Sequence, residues 1–319
     1  MSVEISGLHH VTAICGDPNE NAQFYVGTLG LRLVKQTVNH DDPTTLHLYY
    51  GDAAGTPGTN ITFFPWPTTR PPGRMGAGQT SHTAYLIPPE SLDYWAQRLE
   101  SKGVKFQRTQ RFDNPVLQFE DPDGIGLELV GDEAAEDADT VAWKQGPVPQ
   151  QHQLRGFRSV TLQLATPGPT AEILQDVMGY QKVGEDGEHL RFQATGSGPH
   201  SVIDIVKTDN ARGRISIGSV HHVAFTVTDE DQQQRVRELL MGFGLTATES
   251  IDRIYFKSVY CREPGGVLFE FATPSPGFTR DESVEELGTN FVLPDWFEDQ
   301  RDEIEEAVPA LEPPTTFVD

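Results

Sequence analysis

One pattern recurs four times along this chain, and it constrains the fold more than any other feature. Short strand-like runs occur at residues 8–14 (LHHVTAI), 81–87 (SHTAYLI), 158–164 (RSVTLQL) and 221–227 (HHVAFTV). Each is followed by a polar turn and then by helical patterning, near 19–29, 90–102, 170–178 and 229–243. Every helical stretch stops at a glycine followed by a strand-former: Gly30-Leu31, Gly103-Val104, Gly179-Tyr180 and Gly244-Leu245. Glycine enters the left-handed conformation that ends a helix at little cost. Taking His10, His82, Ser159 and His222 as equivalent, these glycines follow them by 20, 21, 20 and 22 residues. Spacing this regular marks an internal repeat.

After each glycine come β-rich runs: 45–50 and 60–64, 116–120 and 126–130, 189–193 and 201–206, 253–260 and 267–272. The unit therefore reads β-α-β-β-β. A unit so small buries too little apolar surface by itself, so units are expected to pair and complete each other's sheets. Residues 131–155 have linker composition, opening on five acids between Asp132 and Asp139 and continuing into GPVPQQHQ. The expected division is 1–140 for modules one and two, 141–280 for modules three and four, and 281–319 for an acidic tail. That tail holds 13 acids, one arginine and prolines at 294, 309, 313 and 314, with a helix expected over 296–311 and a loose end.

Charge excludes some functions. The chain carries 24 basic and 47 acidic residues, a formal charge of −23 on 319 residues. Such a field repels phosphate backbones, which argues against nucleic-acid binding. Only seven of the 24 basic residues are lysine, and they are scarce along the whole length, which fits a salt-adapted (halophilic) protein. Cys15 and Cys261 are the only cysteines and make no disulfide framework. The opening MSVEISGLHH has neither a basic region nor an apolar stretch, so no signal peptide is expected, and no run approaches the 18 apolar residues of a membrane span. A cytoplasmic protein is the expectation. The glycine-rich GDAAGTPGTN lacks the lysine and strand–helix context of a phosphate loop.

Chemistry enters with the histidines. His9-His10 and His221-His222 occupy equivalent repeat positions, and neighbours on a strand point to opposite faces. In the last strand-like run, VLFEFAT, Glu270 lies between apolar neighbours 48 residues after His222. A carboxylate there is costly unless paired or bound to a metal. Unit two repeats the arrangement with His82 and Glu128, 46 residues apart, whereas unit three has Ser159 where unit one has His10. Two sets can be drawn, His10 with His222 and Glu270, or His10 with His82 and Glu128. Two imidazoles and one carboxylate are the donors of the facial triad that holds Fe(II); Mn(II) and Zn(II) accept the same donors.

With those residues in view, the chain resembles the vicinal oxygen chelate superfamily, which includes glyoxalase I, bleomycin-resistance proteins and extradiol dioxygenases. Along nearly its whole length it is similar to ring-cleaving dioxygenases of the para-hydroquinone type, through GLHHVTAI, SVHHVAFTV, DRIYFKSVYCREPGGVLFEFAT and LPDWFEDQRDEIEEAVPAL. The resemblance implies an α+β fold of four βαβββ modules pairing into two cupped mixed β-sheet barrels with helices outside. It implies a non-haem Fe(II) extradiol-type enzyme in aromatic degradation, with the metal on His10, His222 and Glu270. It places His9, Thr12, His221, Arg253 and Tyr260 around a hydroquinone- or catechol-like substrate that reacts with O2. The His82/Glu128 site then becomes a degenerate relic. A metal-dependent isomerase of the glyoxalase kind and a metal-free drug-binding protein are the competing functions, and a homo-oligomer is compatible with all three.

Overall fold

In the computed structural model, which describes residues 2–194, 198–312 and 314–317, each unit contributes four strands. Unit one holds β1 (Leu8–Cys15), β2 (Arg32–Asn39), β3 (Asp42–Gly51) and β4 (Asn60–Pro65). Unit two holds β5 (Gln79–Ile87), β6 (Phe106–Arg111), β7 (Asn114–Glu120) and β8 (Gly126–Gly131). Unit three holds β9 (Phe157–Leu164), β10 (Tyr180–Asp186), β11 (His189–Ala194) and β12 (Val202–Lys207). Unit four holds β13 (Ser219–Thr226), β14 (Ile251–Asp252), β15 (Lys257–Arg262) and β16 (Leu268–Ala272). The helices between first and second strands end as the glycine spacing requires: Gly30, Gly103, Gly179 and Gly244 all have φ between 71° and 79°.

The strands form two curled, mixed eight-stranded sheets. One runs β14-β15-β16-β13-β1-β4-β3-β2 and joins units four and one; the other runs β10-β11-β12-β9-β5-β8-β7-β6 and joins units three and two. The joints are the first strands, paired antiparallel as β1 with β13 and β5 with β9. Within each unit the first strand pairs in parallel with the last, as β1 with β4 and β13 with β16. This joins residues far apart in sequence at the centre of each sheet.

Three expected elements are modified. The 19–29 helix is α1 (Pro18–Ala22), capped by the Asp17 carboxylate on two backbone N–H groups, and widens into a π turn over Gln23–Thr28. The wider turn lets consecutive Phe24, Tyr25 and Val26 all reach the core. The unit-three helix α3 (Pro167–Glu172) ends in the same way, whereas α2 (Leu92–Ser101) and α4 (Glu230–Gly242) are regular. The run 253–260 is not one strand. Asp252 accepts from the Ile254 N–H at 2.7 Å, the Tyr255 N–H donates to the Arg253 carbonyl at 2.8 Å, and Ile254 has φ 70°, so a tight turn separates β14 from β15. In the tail, a 3-10 turn over Asp295–Gln300 leads to α5 (Arg301–Ala307), shorter than 296–311. Val308 precedes Pro309 and is extended (ψ 149°), as residues before proline must be. A loose end is expected for the last few residues; Pro314–Phe317 instead forms a 3-10 turn with Phe317 buried in the core, while Val318 and Asp319 lie outside the described residues.

The tail is fastened to unit one. Lys35 on β2 is wholly buried and donates to Asp281 at 2.5 Å and to Glu282, while Asp281 accepts from the Tyr255 hydroxyl at 2.8 Å. Among the described residues, no helix is long and apolar enough to cross a membrane.

Candidate metal centre

The centre of the β1/β13 sheet brings the candidate ligands together. Across four strands the register reads His10, Ala224, Glu270, Tyr260, all side by side and therefore on one face. His222 lies two residues before Ala224 and shares that face. Ala224 is the small member of the row, and its methyl leaves the space between His10 and Glu270 open.

Glu270 Oε2 lies 2.8 Å from His222 Nε2 and 3.3 Å from His10 Nε2, and the two Nε2 atoms are 3.3 Å apart. All three residues are buried, and their ligand atoms lie within 4.8 Å of one another, the single such group of three among the described residues. Glu270 Oε1 accepts from the Ser258 hydroxyl at 2.5 Å, but Oε2 has no partner in hydrogen-bond geometry. Burial opposes ionisation of Glu270, yet His10 and His222 hold it well below the usual carboxylate range. Two imidazoles and a carboxylate thus converge on one point, with Glu270 Oε2 left without a hydrogen-bond partner, an arrangement that suits a cation.

Each candidate ligand histidine is held from behind. His9 Nδ1 is 2.9 Å from His10 Nδ1, and His221 Nδ1 is 2.9 Å from His222 Nδ1. A register shift in β1 between Leu8 and His10 lets the first pair meet, although strand alternation alone predicts opposite faces. Burial lowers both outer histidines to about 3, so His9 and His221 are neutral at physiological pH. If His10 and His222 carry their protons on Nδ1 and donate them to His9 and His221, both Nε2 lone pairs face Glu270.

A cavity of about 300 Å³ opens on the donors. Of the residues expected around the substrate, His221, Arg253 and Tyr260 line it, while His9 and Thr12 sit behind its wall. Thr12 Oγ1 is 2.8 Å from Thr62 Oγ1, which is 2.9 Å from His47 Nε2; His47 Nδ1 is 2.8 Å from the Tyr49 hydroxyl. Arg253 donates from Nε to the Tyr260 hydroxyl at 3.2 Å and from Nη2 to Asp41 at 3.0 Å. The β2–β3 hairpin supplies lining that sequence reading missed: His40, Asp41, His47 and Tyr49. One signal was present, because six of the ten histidines gather at this sheet. Cys261 and Cys15 are buried and free. A larger recess of about 1130 Å³, between α1 and β6–β7, is a shallow open groove away from the three donors.

The other sheet repeats the row as Ser159, Ala84, Glu128, Gln118. There Arg111 Nη1 donates to Glu128 Oε2 at 2.7 Å, and Gln118 Nε2 lies 3.1 Å from Oε1 and 3.0 Å from His82 Nε2. A second pair, Arg191 with Asp204, is bidentate at 2.8 Å. A guanidinium neutralises the buried carboxylate where the first sheet has imidazoles.

The chain is similar to several known proteins. The model of the Glyoxalase/Bleomycin resistance protein/Dioxygenase superfamily matches residues 7–129 and 160–271. The chain is 41% identical over 308 residues to the "Putative ring-cleaving dioxygenase MhqO" of Bacillus subtilis (strain 168), covering 97% of both chains. It is 36% identical over 307 residues to the "Chlorohydroquinone/hydroquinone 1,2-dioxygenase" of Sphingobium indicum, covering 94% of this chain and 95% of that one. A crystal structure of a "putative dioxygenase" from Bacillus subtilis superposes with a TM-score of 0.92 at 40% identity, covering 98% of this chain and 99% of that chain.

Proposed function

The chain belongs to the glyoxalase/bleomycin resistance protein/dioxygenase superfamily, and from that premise we propose that it is an Fe(II)-dependent ring-cleaving dioxygenase that inserts O2 into a para-hydroquinone. The observation that carries this reading is the orphaned Glu270 Oε2 facing two imidazole Nε2 atoms in a buried site that opens on a cavity for one aromatic ring. His10, His222 and Glu270 would hold the metal. When bound, the ion supplies Lewis acidity and a path for electrons between the ring and O2.

The protein's own groups do the rest. His9 and His221 orient the ligand imidazoles by accepting at Nδ1, and His221, on the cavity wall, is left with an Nε2–H that donates to a substrate or product oxygen. The Tyr260 hydroxyl accepts from Arg253 and keeps its own hydrogen to donate toward a developing anion. Asp41 and Tyr260 fix the Arg253 guanidinium at the cavity edge, where it attracts a phenolate. The Thr12–Thr62–His47–Tyr49 chain, in which His47 and Tyr49 line the cavity, stiffens the surface on which the ring lies. In a hydroquinone the hydroxyls are para, so cleavage falls between a hydroxylated carbon and its unhydroxylated neighbour, the extradiol type of bond.

The test is oxygen uptake by protein loaded anaerobically with Fe(II), then given hydroquinones and catechols in turn. One O2 consumed per ring opened, with both metal content and turnover lost in His222→Ala, is the expected result. Turnover retained in His222→Ala refutes the ligand set. Conversion without oxygen points to an isomerase, and binding without conversion to a sequestering protein. Loading with Mn(II) or Zn(II) identifies the metal by which ion sustains turnover.

A further inference from the structure

We propose that Ser258 is a positioning residue of the metal centre: by engaging Glu270 Oε1 it restricts the carboxylate to ligation through Oε2 alone, and so preserves a coordination position for substrate or O2. This rests on the metal-dependent reading above and not on which ring is cleaved. Ser258 is wholly buried on β15, two residues before Tyr260, whose register partner on β16 is Glu270. Residues two apart share a face of a strand, so the Ser258 hydroxyl reaches Glu270 diagonally across the strand pair and donates to Oε1 at 2.5 Å. That length marks a charge-assisted bond. Oε2 is the oxygen left over, 2.8 Å from His222 Nε2 and 3.3 Å from His10 Nε2, with no partner in hydrogen-bond geometry.

The other sheet supplies the control. Alignment of Gln118 and Glu128 with Tyr260 and Glu270 puts Val116 at the place of Ser258, opposite Val130 as Ser258 is opposite Ala272. Val116 is buried there, so the strand packs at that position without a hydroxyl. Valine is also the better strand-former, and packing alone gives no reason for serine. Both oxygens of Glu128 are held by protein donors, Oε2 by Arg111 and Oε1 by Gln118. The hydroxyl therefore stands in the cup where one carboxylate oxygen is held back and the other is left facing two imidazoles.

A carboxylate binds a cation through one oxygen or through both. With two imidazoles, ligation through Oε2 alone occupies three positions on the ion, and ligation through both oxygens occupies a fourth. Two imidazoles and one carboxylate serve oxygen chemistry because they leave positions open. Deprived of the Ser258 hydroxyl, Oε1 loses its donor while it stays buried and charged, and the cation becomes its nearest compensation. Ser258 removes that pull, and its effect falls on the number of open positions rather than on the identity of the ligands.

Water-proton relaxation by the Mn(II)-loaded protein counts the waters on the ion and tests this apart from turnover. Wild type, Ser258→Ala and Ser258→Thr are compared, with calorimetric melting to show that each is folded. Ser258→Ala is expected to carry about one water fewer on the ion than wild type, and Ser258→Thr, which keeps the hydroxyl, to match wild type. A folded Ser258→Ala that loads no Mn(II) while Ser258→Thr loads it also supports the role, because the hydroxyl is then what aims Oε2. A Ser258→Ala protein with the wild-type water count overturns the role, and so does the same change in both variants, since shape and not the hydroxyl then governs the site. Wild type that holds no Mn(II) overturns the metal centre itself. The expected water counts without oxygen uptake on any ring overturn the ring-cleaving reading and leave Ser258 in place.

Discussion

Replacing Arg111 by Met is expected to destabilise the protein strongly although the residue lies in the sheet without the metal donors. Glu128 is 1% exposed, and its Oε2 accepts from Arg111 Nη1 at 2.7 Å. Methionine keeps much of the side-chain volume and removes the charge. Gln118 still reaches Oε1, but Oε2 is left charged, buried and unmatched. Breaking a buried pair in this way costs about 3–5 kcal/mol, and at about 2–4 °C per kcal/mol that lowers the melting temperature by roughly 6–20 °C. The double variant Arg111→Met/Glu128→Gln removes the charge as well, so it is expected to recover most of the loss. Calorimetric melting of wild type, both single variants and the double variant gives the coupling directly. Metal content is expected to stay at one equivalent per chain throughout, since His82 and Glu128 are joined by Ser159 and not by a third ligand. An Arg111→Met protein within about 1 kcal/mol of wild type, or a double variant no more stable than the single, refutes the claim that the guanidinium neutralises Glu128.

Other sites give predictions of different kinds. His9→Phe keeps the packing on Phe256 but removes the partner of His10 Nδ1, and it is expected to weaken metal binding by about 10–100-fold in a chelator competition; unchanged affinity refutes the orienting role. Burial, helped by Asp123, raises Asp121 to about 7, so the folded state holds a proton that the unfolded chain releases near pH 4. That stability is present below the unfolded value and is lost as pH rises toward 7; Asp121→Asn is therefore expected to gain up to about 4 kcal/mol on wild type between pH 4 and 7 in urea melts, and parallel curves exclude the shift. Ala224→Leu fills the gap between His10 and Glu270, and is expected to abolish metal binding at a folding cost of about 1–3 kcal/mol; a metal-replete variant shows that the gap is not the site. A charge of −23 predicts a melting temperature that rises steadily as KCl is raised from about 0.1 to 2 M, and a flat profile argues against salt adaptation.

What could be read from the residues and what could not divide along a physical line. The helix-ending glycines were legible because a positive φ singles out glycine, and all four are found there. The first strands were legible because β pairing at the centre of a sheet needs apolar, β-branched runs. Local pattern marks only strands in the β2–β3 hairpin, since nothing local says that its His40 and His47 line the cavity with Glu270; that depends on how far the sheet curls. The turn at 253–256 was missed because Ile, Tyr and Phe have high strand propensity, and a single side chain, Asp252, overrides it by capping the Ile254 N–H.

The contrast between the two sheets shows where local pattern stops deciding. Arg253, Tyr260 and Glu270 are spaced like Arg111, Gln118 and Glu128, seven and then ten residues apart. The chain thus writes the same arginine beside the same buried glutamate twice. In the first sheet two imidazoles already face Glu270, so Arg253 is free to turn outward to Asp41 and Tyr260 at the cavity edge. In the second, Ser159 stands in the row where the first sheet has His10, the carboxylate lacks one of its two imidazoles, and Arg111 turns inward to neutralise it. A buried carboxylate must be compensated, and the nearest cation is recruited when imidazoles and metal do not suffice. The His-to-Ser difference between repeats, through that requirement, goes together with a candidate metal centre in one cup and an ion pair in the other.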